Sequence, residues 1–255
     1  MNRCRLCAAP LRGSANVCDR RACRSRAALE RAAAQRGARR AAIAGAARAL
    51  LERAARRLHL RSLSIAVVPA NTRRLATLPA HRRRAFRAHL LEQIGQAART
   101  GHRRAAAEAV GLDAPPARVA GACATCRGHC CARGGDHAFV DFTTIRRYTA
   151  RTGVSDSATI VRAFLRYLPA LSYRGSCVYH TATGCSLPRV MRGDVCNRFY
   201  CGPLVEQWAA LERADVSATA VAAADAETMV RVAVVDELGT VRPIAVTRTR
   251  CSRGD

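Results

Sequence analysis

Apolar positions along the 255-residue chain fall into short periodic stretches separated by arginine-rich and cysteine-rich segments. Over 25–60, Ala and Arg, both strong helix formers, surround a thin apolar stripe of Leu29, Ile43, Leu50, Leu51, Ala54 and Leu58. The pattern predicts a helix that Gly37 and Gly45 loosen. "LSIAVV" at 63–68 reads as a strand ending at Pro69, and Pro79 precedes a second helix whose Phe86, Leu90 and Ile94 share one face opposite arginines. "GLDAPPARVAG" at 111–121 reads as a boundary, because paired prolines and small residues interrupt a regular element. Further helices are predicted near 142–151 and 156–168. The second has Ser155 as N-cap, Ile160, Phe164 and Leu168 as its apolar face, and Pro169 as its stop. A short helix over 203–213 carries the only tryptophan, and "MVRVAVVD", "ELG" and "TVRPIAVTRT" predict a C-terminal β-hairpin.

Composition weakens the core that this pattern promises. The hydrophobic share is 49%, but alanine inflates it, and only 4% of residues are aromatic. Thirteen cysteines, grouped rather than scattered, point to metal as a source of the missing cohesion. No apolar run reaches the roughly 20 residues of a membrane helix, and "MNRCRLCAAP" lacks a signal-type segment, so the expected location is cytoplasmic. In such a reducing compartment, clustered thiols serve as metal ligands or redox groups more often than as structural disulfides.

The net charge of +25 is carried by arginine, with no lysine at all, and most of it lies in residues 1–110. That asymmetry is the footprint of a partner such as nucleic acid or an acidic protein, reached through the basic N-terminal half. An alanine- and arginine-biased composition would give the same asymmetry without a partner.

The first cysteine set is Cys4-x2-Cys7 and Cys18-x4-Cys23, two thiol pairs on short loops, as a tetrahedral zinc site requires. "CRLCAAPL" resembles a zinc-ribbon knuckle, although the second pair is spaced more widely than in common ribbons. The second set is Cys123-x2-Cys126-x3-Cys130-Cys131, then Cys177, Cys185, Cys196 and Cys201. Adjacent residues project in different directions, so Cys130 and Cys131 do not easily share one small centre. Two four-thiolate centres, or one centre with spare cysteines, both fit. His129, His137 and His180 lie near cysteines as alternative ligands or outer supports, Asp136 is placed to orient His137, and Arg127, Arg133 and Arg198 to offset thiolate charge. Cys251 has no partner spacing and reads as a free thiol.

Over about residues 118–205, "CATCRGHCC", "GSCVYHTATGC" and "CNRFYC" together resemble the YkgJ-type cysteine-cluster family, a zinc- or iron-chelating domain with a C-x-x-C-x-x-C-C box. The resemblance implies that Cys123, Cys126, Cys130 and Cys131 form the box, that Cys177 and Cys185 form the middle pair, and that Cys196 with Phe199 forms the last element. The chain departs from it with three residues before the paired cysteines, and with "SLPRVMRGDVC" in place of an isoleucine-tyrosine and arginine-proline step.

The expected architecture is α+β. A zinc-ribbon-like knuckle (1–24) and a basic Ala/Arg-rich helical region (25–116) precede a small metal-stabilised, YkgJ-like cysteine-rich domain (117–205), and a helix and C-terminal β-hairpin (206–255) follow. The leading reading is a metal-binding protein holding zinc or an iron–sulfur cluster; spacing does not choose between them. The alternatives are a cluster-dependent enzyme like the lysine N-methylases that share the box, and a nucleic-acid-binding zinc protein. No glycine-rich phosphate loop, nucleophile elbow or H-E-x-x-H motif is present to support other chemistry.

Overall fold

The computed structural model describes residues 2–11, 15–58, 63–100, 115–213, 216–226, 228–246 and 249–250. It is α+β. Its elements are α1 (Arg21–Leu58), β1 (Leu63–Pro69), β2 (Leu75–Thr77), α2 (Ala80–Arg99), α3 (Ala117–Cys126), α4 (Phe142–Thr152), α5 (Ser157–Leu165), β3 (Leu171–Tyr173), β4 (His180–Thr181) and β5 (Gly184–Cys185). They continue with α6 (Asp194–Arg198), α7 (Gly202–Val205), α8 (Trp208–Leu211), β6 (Ala218–Asp225), β7 (Thr228–Asp236), β8 (Val241–Ile244) and β9 (Thr249–Arg250). No helix among the described residues is long and apolar enough to cross a membrane.

The main sheet runs β1-β6-β7-β8, with β9 also paired to β7; β1 lies parallel to β6 and the other pairs are antiparallel. Alternation along β6 divides the sheet into two faces. Ala218, Ala220, Ala222 and Ala224 join Val67, Val232 and Val234 beneath Ile43 and Ala47 of α1. Val221 and Ala223 join Ala66, Val68 and Val235 beneath Val119 and Ala122 of α3, Leu204 of α7 and Leu211 of α8. Alanine favours helices in isolation, but here its small side chain suits a strand covered on both faces. Close approach is also required of α3, where a Cβ on Gly121 would lie 2.3 Å from Val235 Cγ1.

A second core lies among α2, α4 and α5, where Phe86, Leu90, Ile94, Ile145, Ile160 and Phe164 surround the buried Tyr179. The Tyr179 hydroxyl donates to the Phe164 carbonyl at 2.9 Å, and its ring meets Phe86 edge-on at 5.3 Å.

Several expectations are revised. The first helix starts at Arg21 and runs without a break through Gly37 and Gly45, because the flanking Ala and Arg sustain it. Residues 117–121 are helical: Pro116 sits at the N-cap of α3, where its missing N–H costs nothing. Residues 111–114 of the expected boundary lie outside the described residues. Asp156, not Ser155, caps α5, accepting from the Thr159 N–H at 2.7 Å. The helix expected at 203–213 is two separate turns, α7 and α8. The hairpin of β7 and β8 is present, and it extends a sheet that begins with β1.

Helix α4 is fixed at its start by Asp141, whose Oδ1 accepts from Thr144 N, Thr144 Oγ1 and Thr143 Oγ1 at 2.7 to 2.8 Å. Burial pushes this carboxyl up, but the bonds from Thr144 and Thr143 outweigh it and hold the pKa below the usual range. The stabilisation is therefore fully present above the unfolded carboxylate pKa and is lost as pH falls through the folded one. Asp141→Ala is expected to cost about 1 kcal/mol in urea unfolding. The deficit should stay flat above about pH 4 and shrink below it.

Candidate metal centres

The N-terminal knuckle is built by a tight turn. Cys4 N–H donates to the Ala9 carbonyl and Ala8 N–H to the Cys4 carbonyl, each at 2.8 Å, and Arg3 bridges Pro10. Cys18 N–H points at Cys4 Sγ at 3.4 Å, and Cys23 enters from the first turn of α1. Arg5 pairs with Glu30, fastening the loop to the helix. The ligand atoms of Cys4, Cys7, Cys18 and Cys23 all lie within 4.8 Å of one another, close enough to bind a metal ion. A tetrahedral zinc with bonds of 2.3 Å spaces its sulfurs by about 3.8 Å; Cys7 and Cys18 Sγ stand 3.6 Å apart. The Cys18 amide lowers the Cys4 pKa to about 6, whereas hydrogen bonding with Cys7, then burial, raises Cys23 to about 12. One thiol of the set is thus primed to ionise.

The other eight cysteines are arranged more openly. Among the described residues, only the N-terminal four meet the 4.8 Å condition. Helix α3 presents Cys123 and Cys126, then Arg127 (φ 56°) and Gly128 (φ 66°) take left-handed conformations and turn the chain into a 3-10 turn, His129–Gly134, that carries Cys130 and Cys131. From there the thiols diverge. Cys126 and Cys201 belong to the core under the sheet, while Cys131, Cys177 and Cys185 belong to the core among α2, α4 and α5. Cys177 N–H donates to the Cys131 carbonyl at 3.0 Å.

Electrostatic neighbours follow the same division. Cys123 and Cys126 each feel Cys130 and Cys201; Cys131 feels Cys177 and Cys185, and Cys177 feels Cys185 and Cys196. Two contacts cross between the groups: Cys130 bonds its neighbour Cys131, and Cys196 feels Cys130 as well as Cys185. By these neighbours Cys123, Cys126 and Cys201 lie on one side and Cys131, Cys177, Cys185 and Cys196 on the other, with Cys130 in contact with both. Burial raises Cys123, Cys177 and Cys196 to about 12 and Cys126 to about 11, while a hydrogen bond with Cys131 lowers Cys130 to about 7. Buried thiols of this kind ionise when a cation is there to offset the charge. All twelve described cysteines are free thiols, and Cys251 lies outside the described residues.

The histidines take supporting bonds. His180, only 1% exposed, bonds Ser176 Oγ at 2.7 Å and the Arg127 carbonyl at 3.1 Å through its two ring nitrogens; burial lowers its pKa to about 4. His129 Nδ1 meets the Ala70 carbonyl at 3.1 Å, and His137 Nδ1 accepts from Phe139 N–H at 3.0 Å. Asp136 does not orient His137; it pairs with Arg82, which also donates to the Ser176 carbonyl at 2.6 Å. The cations that partly offset the effect of burial are Arg231 at Cys126, Arg82 at Cys177, and Arg192 at Cys185 and Cys196. Sequence spacing pointed instead to Arg127, Arg133 and Arg198. Arg192 had a local signal, four residues before Cys196, whereas Arg231 and Arg82 reach the site only through the fold.

No family model, curated protein or solved structure matches this chain.

The turn at Gly128 is a tightly constrained point of the site. A Cβ there would fall 2.6 Å from His180 Nε2 and 3.2 Å from Cys131 Sγ, whereas Gly175, also left-handed at φ +63°, has open space around it. Gly175→Ala is expected to cost about 1–2 kcal/mol from backbone strain alone. Gly128→Ala should cost at least about 1 kcal/mol more, because the strain is joined by a clash. Denaturant midpoints of the two variants compare them directly.

Proposed function

We propose that this chain is a metal-binding protein with three thiolate centres: the knuckle of Cys4, Cys7, Cys18 and Cys23, and two further centres formed by Cys123, Cys126, Cys130 and Cys201 and by Cys131, Cys177, Cys185 and Cys196. The observation that carries this reading is the gathering of the four N-terminal thiols within 4.8 Å; the two inner centres are supported by the packing of Cys126 and Cys201 against one core and of Cys131, Cys177 and Cys185 against the other. Four thiols suit zinc or an iron–sulfur cluster, and both use cysteine quartets of this kind.

Metal in the two inner centres braces the two cores, one centre to each. Such bracing compensates for scarce aromatic burial, since metal affinity becomes folding free energy when the site exists only in the folded chain. Arg82, Arg192 and Arg231 face the thiols from outside, where they balance the negative charge of a four-thiolate site. The knuckle, fastened to α1, takes zinc and orders a segment too short to fold by itself.

Single and double serine variants separate this arrangement from one shared centre. Cys130→Ser and Cys131→Ser are each expected to remove the metal of one centre, and the double variant that of both, read as metal per chain by mass spectrometry. A double variant that loses no more than either single one would place both thiols in the same centre.

A further inference from the structure

A cavity of about 540 Å³ opens beside the C-terminus of α3, between the segment 71–74 and the turn from β6 to β7. Its size is that of a small-molecule site. Arg73, Arg74, Arg127 and Arg231 line it against a single carboxylate, Asp225, which already accepts from Thr72 Oγ1 at 3.2 Å. Arg231 is committed to the wall, donating to the carbonyls of Thr125, Asn71 and Cys126 at 2.9 to 3.0 Å. The side chains of Arg73, Arg74 and Arg127 have no carboxylate partner among the described residues.

Asn71 adds a second, independent observation. It is 2% exposed and lines the same cavity. Its Oδ1 accepts from Arg73 N–H at 3.1 Å and its backbone N–H donates to the Cys126 carbonyl at 2.9 Å, yet its buried Nδ2 has no hydrogen-bond partner. Native proteins rarely leave such a donor unsatisfied. A donor-rich wall of guanidinium groups with an unpaired amide N–H is complementary to an oxyanion that accepts many hydrogen bonds, and arginine matches phosphate in particular.

We infer that this cavity binds the phosphate or diphosphate group of a small molecule, with Arg73, Arg74 and Arg127 closing on its oxygens and Asn71 Nδ2 donating from below. The inference is independent of the metal reading. The two sites meet at Cys126, whose carbonyl accepts from both Asn71 and Arg231.

Pyrophosphate titrated calorimetrically into the full chain as purified tests this. Saturable binding at one site is expected. The pair R73Q/R127Q should weaken it at least about tenfold, whereas R84Q/R87Q, which removes the same charge from the exposed side of α2, should change it less than about twofold. N71D keeps the Oδ1 acceptor but replaces the unpartnered donor with an oxygen, and should weaken binding by at least as much as R73Q/R127Q. Unchanged metal content and melting temperature in R73Q/R127Q would separate this result from any failure of the metal centres. No saturable pyrophosphate binding, equal loss in the two arginine pairs, or binding of oligonucleotides alone would overturn the inference.

Discussion

One tight turn, His129–Gly134, carries the adjacent Cys130 and Cys131 between the two cores of this protein, and the placement of the other thiols depends on it. The left-handed pair Arg127 and Gly128 ends α3 and sets up the turn. Cys131 packs against the core that holds Tyr179, whereas Cys126, at the end of α3, lies in the core under the sheet, and Cys130 bonds Cys131 between them. Residues from distant parts of the chain complete each side: Cys201 from the stretch before α7, and Cys177 and Cys185 from around the β4–β5 hairpin. Each proposed centre thus belongs to one core, and the turn through Cys130 and Cys131 links the two.

Arginine takes up much of the remaining structural work. Arg118, 9% exposed, donates to the carbonyls of Leu211, Arg213 and Val216, and so holds the connection into β6. Arg82 ties α2 to the loop before Cys177, Arg147 ties α4 to Asp194 and the Arg192 carbonyl, and Arg231 gathers three carbonyls at the end of α3. Each uses the fork of guanidinium donors to satisfy several acceptors that no regular element reaches. Part of the large positive charge is therefore internal bracing rather than a surface for partners. Against that background, Arg73, Arg74 and Arg127, which have no carboxylate partner among the described residues, stand out.

Much of this organisation was legible in the sequence where periodicity was strong. Phe86, Leu90 and Ile94 are buried on one face of α2 as their spacing required, and the hairpin of β7 and β8 follows its β-branched pattern. Illegible were the features decided by distant contacts. "ATAVAAAD" carries no strand propensity, yet it forms the central strand because helices cover both its faces and β1, some 150 residues earlier, pairs with it in parallel. Prolines before α3 looked like an interruption and prove to be a start. Of the arginines that face the thiols, Arg82 and Arg231 come from α2 and β7, which nothing in the local spacing of the cysteines betrays.

The central claim is that three separate thiolate centres are filled in the native protein. X-ray absorption at the zinc and iron edges, with metal and acid-labile sulfide measured per chain on protein purified without oxygen, tests it most directly. The account predicts an all-sulfur shell and, where zinc is the only metal, about three zinc ions per chain; iron in the inner centres would come with labile sulfide. About one zinc per chain, from the knuckle alone, or a shell dominated by nitrogen and oxygen, would contradict it.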